Sequence, residues 1–263
     1  MKVEFQKYHG AGNDFIMIDN RSAKLSHDNQ LLFARLCDRH MGIGADGIIL
    51  YEEHSELDFQ MVYYNSDGRQ SSMCGNGGRC IVRYAIDNGF VNKTELSFEA
   101  VDGVHQAKLI DDQVELEMKD VQDIEPFGEG YVVDTGSPHF VAIKQRIDSD
   151  DFVNEARRIR NGMQFRNNGI NVNFVERVED KVLLRTYERG VEDETLACGT
   201  GVTATALVLM ELDEKDGEIT VEAKGGTLKV RASRNGSGYK NVWLIGPAVK
   251  SFEGSFNTEV LSY

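Results

Sequence analysis

The chain has 263 residues, 41% of them hydrophobic and 27% charged, with a formal charge of −14. That composition belongs to a soluble globular protein, and the acidic balance argues against nucleic acid or an anionic membrane as the main partner, because both need a basic face. No apolar run approaches the length of a membrane span, and four cysteines (Cys37, Cys74, Cys80, Cys198) are too few for a disulfide scaffold.

Taken in chain order, "MKVEFQKYHG" alternates like a strand and lacks the apolar core of a signal peptide, so a cytoplasmic location is expected. "VEFQKY", "FIMID", "GIILYE", "LDFQMVYY", "ELSFEAV" and "QVELEM" are strand-like runs rich in β-branched and aromatic residues. Between them the pattern predicts a helix from about Asp28 to His40, with Leu31, Leu32 and Leu36 on one stripe. A second helix should run from Gly75 to about Asn88, stopped by Gly89. Past an acidic linker at residues 119–126, ending in Pro126, the strand-like runs are "YVVDT", "HFVAIK", "NVNFVER", "KVLLRTYE", "EITVEA", "TLKVRA" and "NVWLIG". Helices are predicted from about Asp150 to Arg160 and from Gly199 to Leu212. The last reads "VTATALVLMEL", apolar almost all round, so protein must surround it.

Shifted by 124 residues, the chain partly overlays itself. Gly12 falls on Gly136, Glu52 on Glu176, Tyr63 on Tyr187, Cys74 on Cys198, Gly75 on Gly199 and Gly77 on Gly201. So long a period is not a solenoid. It predicts an α+β protein of two pseudo-symmetric domains, each a curved, mixed sheet (a half-barrel) wrapped around a central helix. The expected division is 1–119 plus about 248–263, carrying Cys74, and 120–247, carrying Cys198. The tail after Gly246 has no evident counterpart at the end of the first repeat.

Each of the two matched cysteines precedes its repeat's central helix, in "MCGNGG" and "ACGTG". Helix N-termini gather free N–H groups and the positive end of the dipole. Such an end lowers a thiol's pKa and binds a carboxylate, and the glycines let a ligand approach the backbone. Two such ends converging on one carboxylate would place a sulfur on each side of the α-carbon, the equipment for inverting a stereocentre. At a separation of about 7 Å, two thiolates repel by roughly 2.4 kcal/mol at an effective dielectric near 20, so the pair would share one proton. Cys37 and Cys80 read as small core residues. The alternative for the matched pair is a redox switch closing one disulfide, which needs no polar pocket. A non-catalytic amino-acid-binding module would need the pocket without the thiols. Asn13, Asn65, Asn171, Glu188 and Arg189 supply pocket groups at strand ends around the cysteines. No C-x-x-C and no His at ligand spacing to the cysteines point to a metal, and no phosphate or dinucleotide loop is complete.

"HGAGNDF", "GIGADG", "NSDG", "MCGNGGRC", "YERG" and "ACGTG", in this order across almost the whole chain, resemble the signatures of the diaminopimelate epimerase family. The resemblance implies cofactor-independent interconversion of LL- and meso-diaminopimelate, an amino-acid substrate of lysine and peptidoglycan precursor synthesis, by a homodimer with one catalytic cysteine per domain. It makes Cys74 and Cys198 the acid and base, with the backbone N–H groups of Gly75, Asn76, Gly199 and Thr200 on the carboxylate at the reacting centre. Asn13 and Glu188 would stand near the amino group, and Arg189, Asn65 and Asn171 would read the distal amino-acid end. His139 and Glu188 match positions that tune the thiols, and Phe252 stands where the family often has a Tyr at the dimer contact. The chain departs from the common pattern in Ser137, where many members have Asn, and in Gly47, where some have Gln. Proline racemase-like enzymes share the cysteine pair but usually show "CGHG" and lack "YERG"; phenazine-type isomerases of similar fold lack the pair.

Overall fold

The structure, a computed structural model, describes residues 1–259. The backbone forms two units: Met1–Leu116 with the chain from Pro247 onward, and Glu117–Gly246. Of the tail assigned above to 248–263, residues 260–263 lie outside the described residues.

The first unit begins with a hairpin of β1 (Lys2–Gly10) and β2 (Asn13–Asp19). Its two turn residues, Ala11 and Gly12, sit at φ +53° and +84°. Two consecutive left-handed residues give a turn whose twist matches the flanking strands, and Gly12 adopts it without a Cβ clash. This tight turn is what aims Asn13, the first residue of β2. The chain then crosses through α1 (Gln30–Cys37) to β3 (Gly47–Glu52), parallel to β2, and returns antiparallel in β4 (Phe59–Asn65). A second crossing, α2 (Gly75–Asp87), leads to β5 (Glu95–Ala100), parallel to β4, followed by the antiparallel β6 (Gly103–Ile110) and β7 (Gln113–Glu117).

Both faces of this sheet's middle are covered. Ile16, Ile18, Ile48, Leu50 and Val62 pack with Phe33, Leu36 and Cys37 of α1. On the opposite face, Phe15, Ile49 and Met61 lie against Gly77 of α2. A strand buried on both faces needs apolar residues at every position, which is why "FIMI" and "GIIL" run without alternation. The expected stripe on α1 is corrected: Leu31 is 87% exposed, Leu32 lies at the margin, and Phe33 joins Leu36 and Cys37 in the core. Leu31 and Phe33 stand about 200° apart on a helix, so both cannot face the sheet. Phe33, whose ring packs against that of Tyr64 at 4.3 Å between centroids with the planes tilted by 42°, takes the inward place.

The second unit repeats this plan. Its elements are β8 (Glu125–Phe127), β9 (Gly130–Asp134), β10 (Pro138–Ile143), α3 (Phe152–Arg160), β11 (Asn171–Val178), β12 (Lys181–Glu188), β13 (Asp193–Thr195), α4 (Gly199–Leu212), β14 (Gly217–Ala223), β15 (Gly226–Asn235) and β16 (Gly238–Gly246). The pairings from β9 to β16 alternate as those from β1 to β7 do, with β10–β11 and β12–β14 parallel and the others antiparallel. β13 is an extra short strand on β12. α3 covers the outer face through Phe152 and Ala156 against Phe140, Val172 and Phe174. α4 is buried from Gly201 to Met210, as its apolar circumference requires.

The last strand, β17 (Val249–Asn257), pairs antiparallel with β1. The chain thus adds a strand after each repeat: β8 follows β7 and pairs with β9, and β17 follows β16 and pairs with β1. The tail therefore does have a counterpart, three residues long against nine. β8 escaped the sequence reading because "EPF" is too short for a period and carries a proline.

Candidate active site

In the first unit, Cys74 is the N-cap residue of α2, in extended conformation. Its helix is held close to the sheet by glycines: a Cβ at Gly78 would lie 2.9 Å from Leu116 and 3.0 Å from the Met73 sulfur. The Cys74 Sγ lies 3.6 Å from Asn13 Oδ1, which also accepts from Asn76 Nδ2 at 3.1 Å. Asn13 Nδ2 in turn donates to Asp46 at 2.7 Å. Behind Asn13 lies an ion cluster of Lys7, Asp14, Arg39 and Asp46. Burial opposes ionisation of Asp14, but hydrogen bonds from Arg39 and Lys7 outweigh it and hold its carboxyl well below the usual range. Gly75 and Asn76 are buried in the first turn of α2, whose N–H groups precede the intrahelical ladder.

Asn65 ends β4, exposed, opposite Gly47. A Cβ at Gly47 would lie 2.6 Å from both the Tyr63 ring and the Tyr64 carbonyl oxygen, so the Tyr63 ring occupies the place a longer residue would need. Cys37 and Cys80 are free, buried core residues. Burial pushes the Cys37 thiol up to about 12 and raises that of Cys80 as well, so neither ionises at neutral pH.

In the second unit, Cys198 is the N-cap residue of α4 and is 8% exposed. Its Sγ lies 3.3 Å from the Thr200 hydroxyl. Thr200 Oγ1 is also 2.9 Å from His139 Nε2, and Asn173 Nδ2 is 2.9 Å from His139 Nδ1. The direction of this chain follows from its far end. The Thr186 hydroxyl donates to Asn173 Oδ1 at 2.9 Å, leaving Asn173 Nδ2 to donate to Phe140 O and to His139 Nδ1. His139 therefore carries its proton on Nε2 and donates it to Thr200, whose own hydrogen is left for the Cys198 sulfur. Burial, seconded by the Arg189 charge, drops the His139 pKa to about 3, so the ring is neutral throughout the working range. Thr135 closes the group by donating to Thr200 O at 2.9 Å.

Asn171 and Arg189 meet at Ser137. Asn171 Nδ2 donates to Ser137 Oγ at 2.9 Å and Arg189 Nη2 reaches the same oxygen at 3.4 Å, while the Arg189 N–H donates to Asn171 Oδ1 at 2.8 Å. The short serine is thus a shared acceptor. Arg189 has no carboxylate partner among the described residues; its other guanidinium bond goes to Asn168 O. Glu188 ends β12, half-buried beside them. Asp46 and Asn173 were not singled out in the sequence, although both lie inside quoted runs, "GIGADG" and "NVNFVER". Phe252 lies on β17, 48% exposed, edge-on to Phe5 and remote in sequence from both cysteines.

The match to known proteins spans both halves. The model of the diaminopimelate epimerase family matches residues 5–123 and 131–250. The chain belongs to that family. A diaminopimelate epimerase of Flavobacterium psychrophilum is 44% identical over 254 residues, covering 95% of this chain and 99% of its own. One from Aquifex aeolicus is 38% identical over 99% of this chain and 100% of its own. Among solved structures, a PhzF-family phenazine biosynthesis protein of Bacillus anthracis superposes with a TM-score of 0.78 at 13% identity, covering 98% and 99% of the two chains. A hydroxyproline epimerase of Agrobacterium vitis does so with a TM-score of 0.68 at 15% identity, covering 97% and 92%. At such identities these two share the fold. Family membership makes the chain an isomerase.

Proposed function

We propose that the chain interconverts LL- and meso-diaminopimelate without a cofactor, in lysine and peptidoglycan precursor synthesis, with Cys74 and Cys198 as the two proton-transfer groups at one α-carbon. One sulfur, as thiolate, removes the α-proton. The electron pair moves into the adjacent carboxylate, held by the first-turn N–H groups at Gly75, Asn76, Gly199 and Thr200. The other sulfur, as thiol, delivers its proton to the opposite face. The protein ends with the two protonation states exchanged and the substrate inverted.

The observation that carries this reading is that each cysteine is the N-cap of its unit's buried central helix, with a hydrogen-bonding side chain on its sulfur: Asn13 in one unit, Thr200 in the other. Asn13 and Glu188 are assigned to the α-amino group, and Asn65, Asn171 and Arg189 to the distal end. Arg189 suits a carboxylate because a guanidinium pairs bidentately with one. His139 acts on Cys198 through Thr200. The chain is assigned to the cytoplasm; no helix among the described residues is long and apolar enough to cross a membrane. A homodimer through β17 and Phe252 completes the reading. β17 is exposed along most of its length and its described pairing is with β1, which leaves an edge for a second copy.

The test is proton exchange in D₂O without added cofactor. Solvent deuterium should enter one α-carbon of LL- and meso-diaminopimelate and none of proline. Cys74→Ala and Cys198→Ala should each bind substrate and lose turnover. Near-normal epimerisation by either variant sinks the two-base mechanism.

A further inference from the structure

Arg79, on the inner side of α2, is 0% exposed. Burying a guanidinium is unfavourable unless something offsets the lost hydration. Yet among the described residues no carboxylate pairs with it. Its hydrogen bonds go to neutral oxygens, Nη1 to Gly75 O at 3.2 Å and Nη2 to Asn76 Oδ1 at 3.0 Å, and its Nε is buried without a partner. Among the described residues, the charged groups around it pair with one another. The Phe15, Ile49, Met61 and Leu116 side chains packed on α2 are apolar. Lys7, Asp14, Arg39 and Asp46 neutralise one another. Asp102 accepts from Met73 N and pairs with His105, and Arg83 and Asp87 pair at the far end of the helix. Cys80, its other neighbour, stays a thiol through burial.

The bonds from Arg79 also have a direction. As a pure donor it turns Asn76 Oδ1 toward itself, so Asn76 Nδ2 points to Asn13 Oδ1 at 3.1 Å. At the other end Asp46, a pure acceptor, turns Asn13 Nδ2 toward itself at 2.7 Å, so Asn13 Oδ1 faces Cys74. Two amides are thereby locked between a buried cation and an anion. In the second unit the residue at the place of Arg79 is Thr203, whose hydroxyl donates to Gly199 O at 2.9 Å. Both helices thus cap the first carbonyl of their cysteine's turn, and the first one alone does so with a charge.

We propose that Arg79 is a positioning residue for Cys74: its charge favours the thiolate, while the amide relay it shares with Asp46 keeps the Asn13 carbonyl ready to accept from the thiol. The two influences oppose each other, which is what a sulfur needs if it must be base in one direction and acid in the other. Arg79 also polarises the Gly75–Asn76 peptide through Gly75 O, making the Asn76 N–H a stronger donor to a carboxylate.

The inference rests on the two-base reading only for its catalytic meaning, so its test uses no substrate. In full-length Cys198→Ala protein, the rate of iodoacetamide alkylation at Cys74, located by peptide mass mapping, is followed against pH. Arg79→Met should raise the midpoint by at least one unit, slowing alkylation at neutral pH about ten-fold, and Arg79→Lys should recover most of that. Asp46→Asn removes an anion and replaces a pure acceptor with a side chain that can also donate, loosening the hold on the Asn13 amide, so the midpoint should fall. Asp46 is exposed, so this variant remains decisive if Arg79→Met lacks native far-UV circular dichroism. An unchanged midpoint in folded Arg79→Met, or in Asp46→Asn, overturns the proposal. Loss of epimerisation with both midpoints shifted as stated leaves it standing.

Discussion

Replacing His139 by Gln isolates the contribution of one buried imidazole to acid sensitivity. In the folded protein its pKa is lowered to about 3, mainly by burial and secondarily by Arg189; in the unfolded chain it returns to about 6.5. Between those values the unfolded state binds the extra proton, so stability rises with pH and is lost as pH falls below about 6.5. With these two values the loss is about 2 kcal/mol at pH 5 and about 3 kcal/mol at pH 4. His139→Gln does not titrate. It keeps a donor and an acceptor, so its cost at pH 7 should be about 1–2 kcal/mol. Urea unfolding of both proteins at pH 7, 5.5 and 4.5 gives the comparison. Carboxylates whose pKa values the fold depresses, such as Asp14 and Glu194, also weaken the protein in acid, but they do so equally in both and cancel in the difference. The gap between the two proteins at pH 7 should shrink, and by pH 4.5 the variant should match or exceed the parent. Parallel stability curves over that range would mean that His139 titrates in the fold as it does in the unfolded chain, and the assigned donation from Asn173 Nδ2 to its Nδ1 would fail with it.

Other consequences follow from single contacts. Ser137→Ala removes the oxygen shared by Asn171 and Arg189, and KM for diaminopimelate should rise roughly three- to ten-fold, as for one lost hydrogen bond, with kcat less affected; an unchanged KM refutes the shared-acceptor role. Gly47→Ala forces a methyl against the Tyr63 ring and a backbone oxygen, and should cost about 1–3 kcal/mol in urea unfolding. On the two-base reading, peroxide should inactivate the substrate-free enzyme and dithiothreitol should restore it; indifference to peroxide counts against neighbouring sulfurs.

Local order carried much of what the sequence disclosed. A repeat can be read without knowing where its halves lie, and "CGNG" and "CGTG" announce helix starts through residues a few places apart. Gly199–Leu212 was predicted at its observed ends because an apolar circumference and a glycine start are both local. β6 and the nine-residue β17 escaped, since exposed strands carry mixed sequences and are defined by a partner, β1 in the case of β17, from the other end of the chain. Leu31 was misplaced because several leucine stripes fit one short helix, and only packing against Tyr64 chooses among them.

The site divides the same way. Sequence alone determined which cysteines are paired by the repeat, which family the chain belongs to, and that the asparagines, the arginine and the glutamate stand at strand ends. Tertiary structure decided what each polar atom does: that Ser137 is the meeting point of Asn171 and Arg189, that His139 bears its proton on Nε2, and that Arg79 is buried with no counter-ion among the described residues. A charge's burial and a hydrogen bond's direction depend on groups brought together from distant segments, Asp46 with Asn13 and Thr186 with Asn173, and no run of neighbouring residues encodes them.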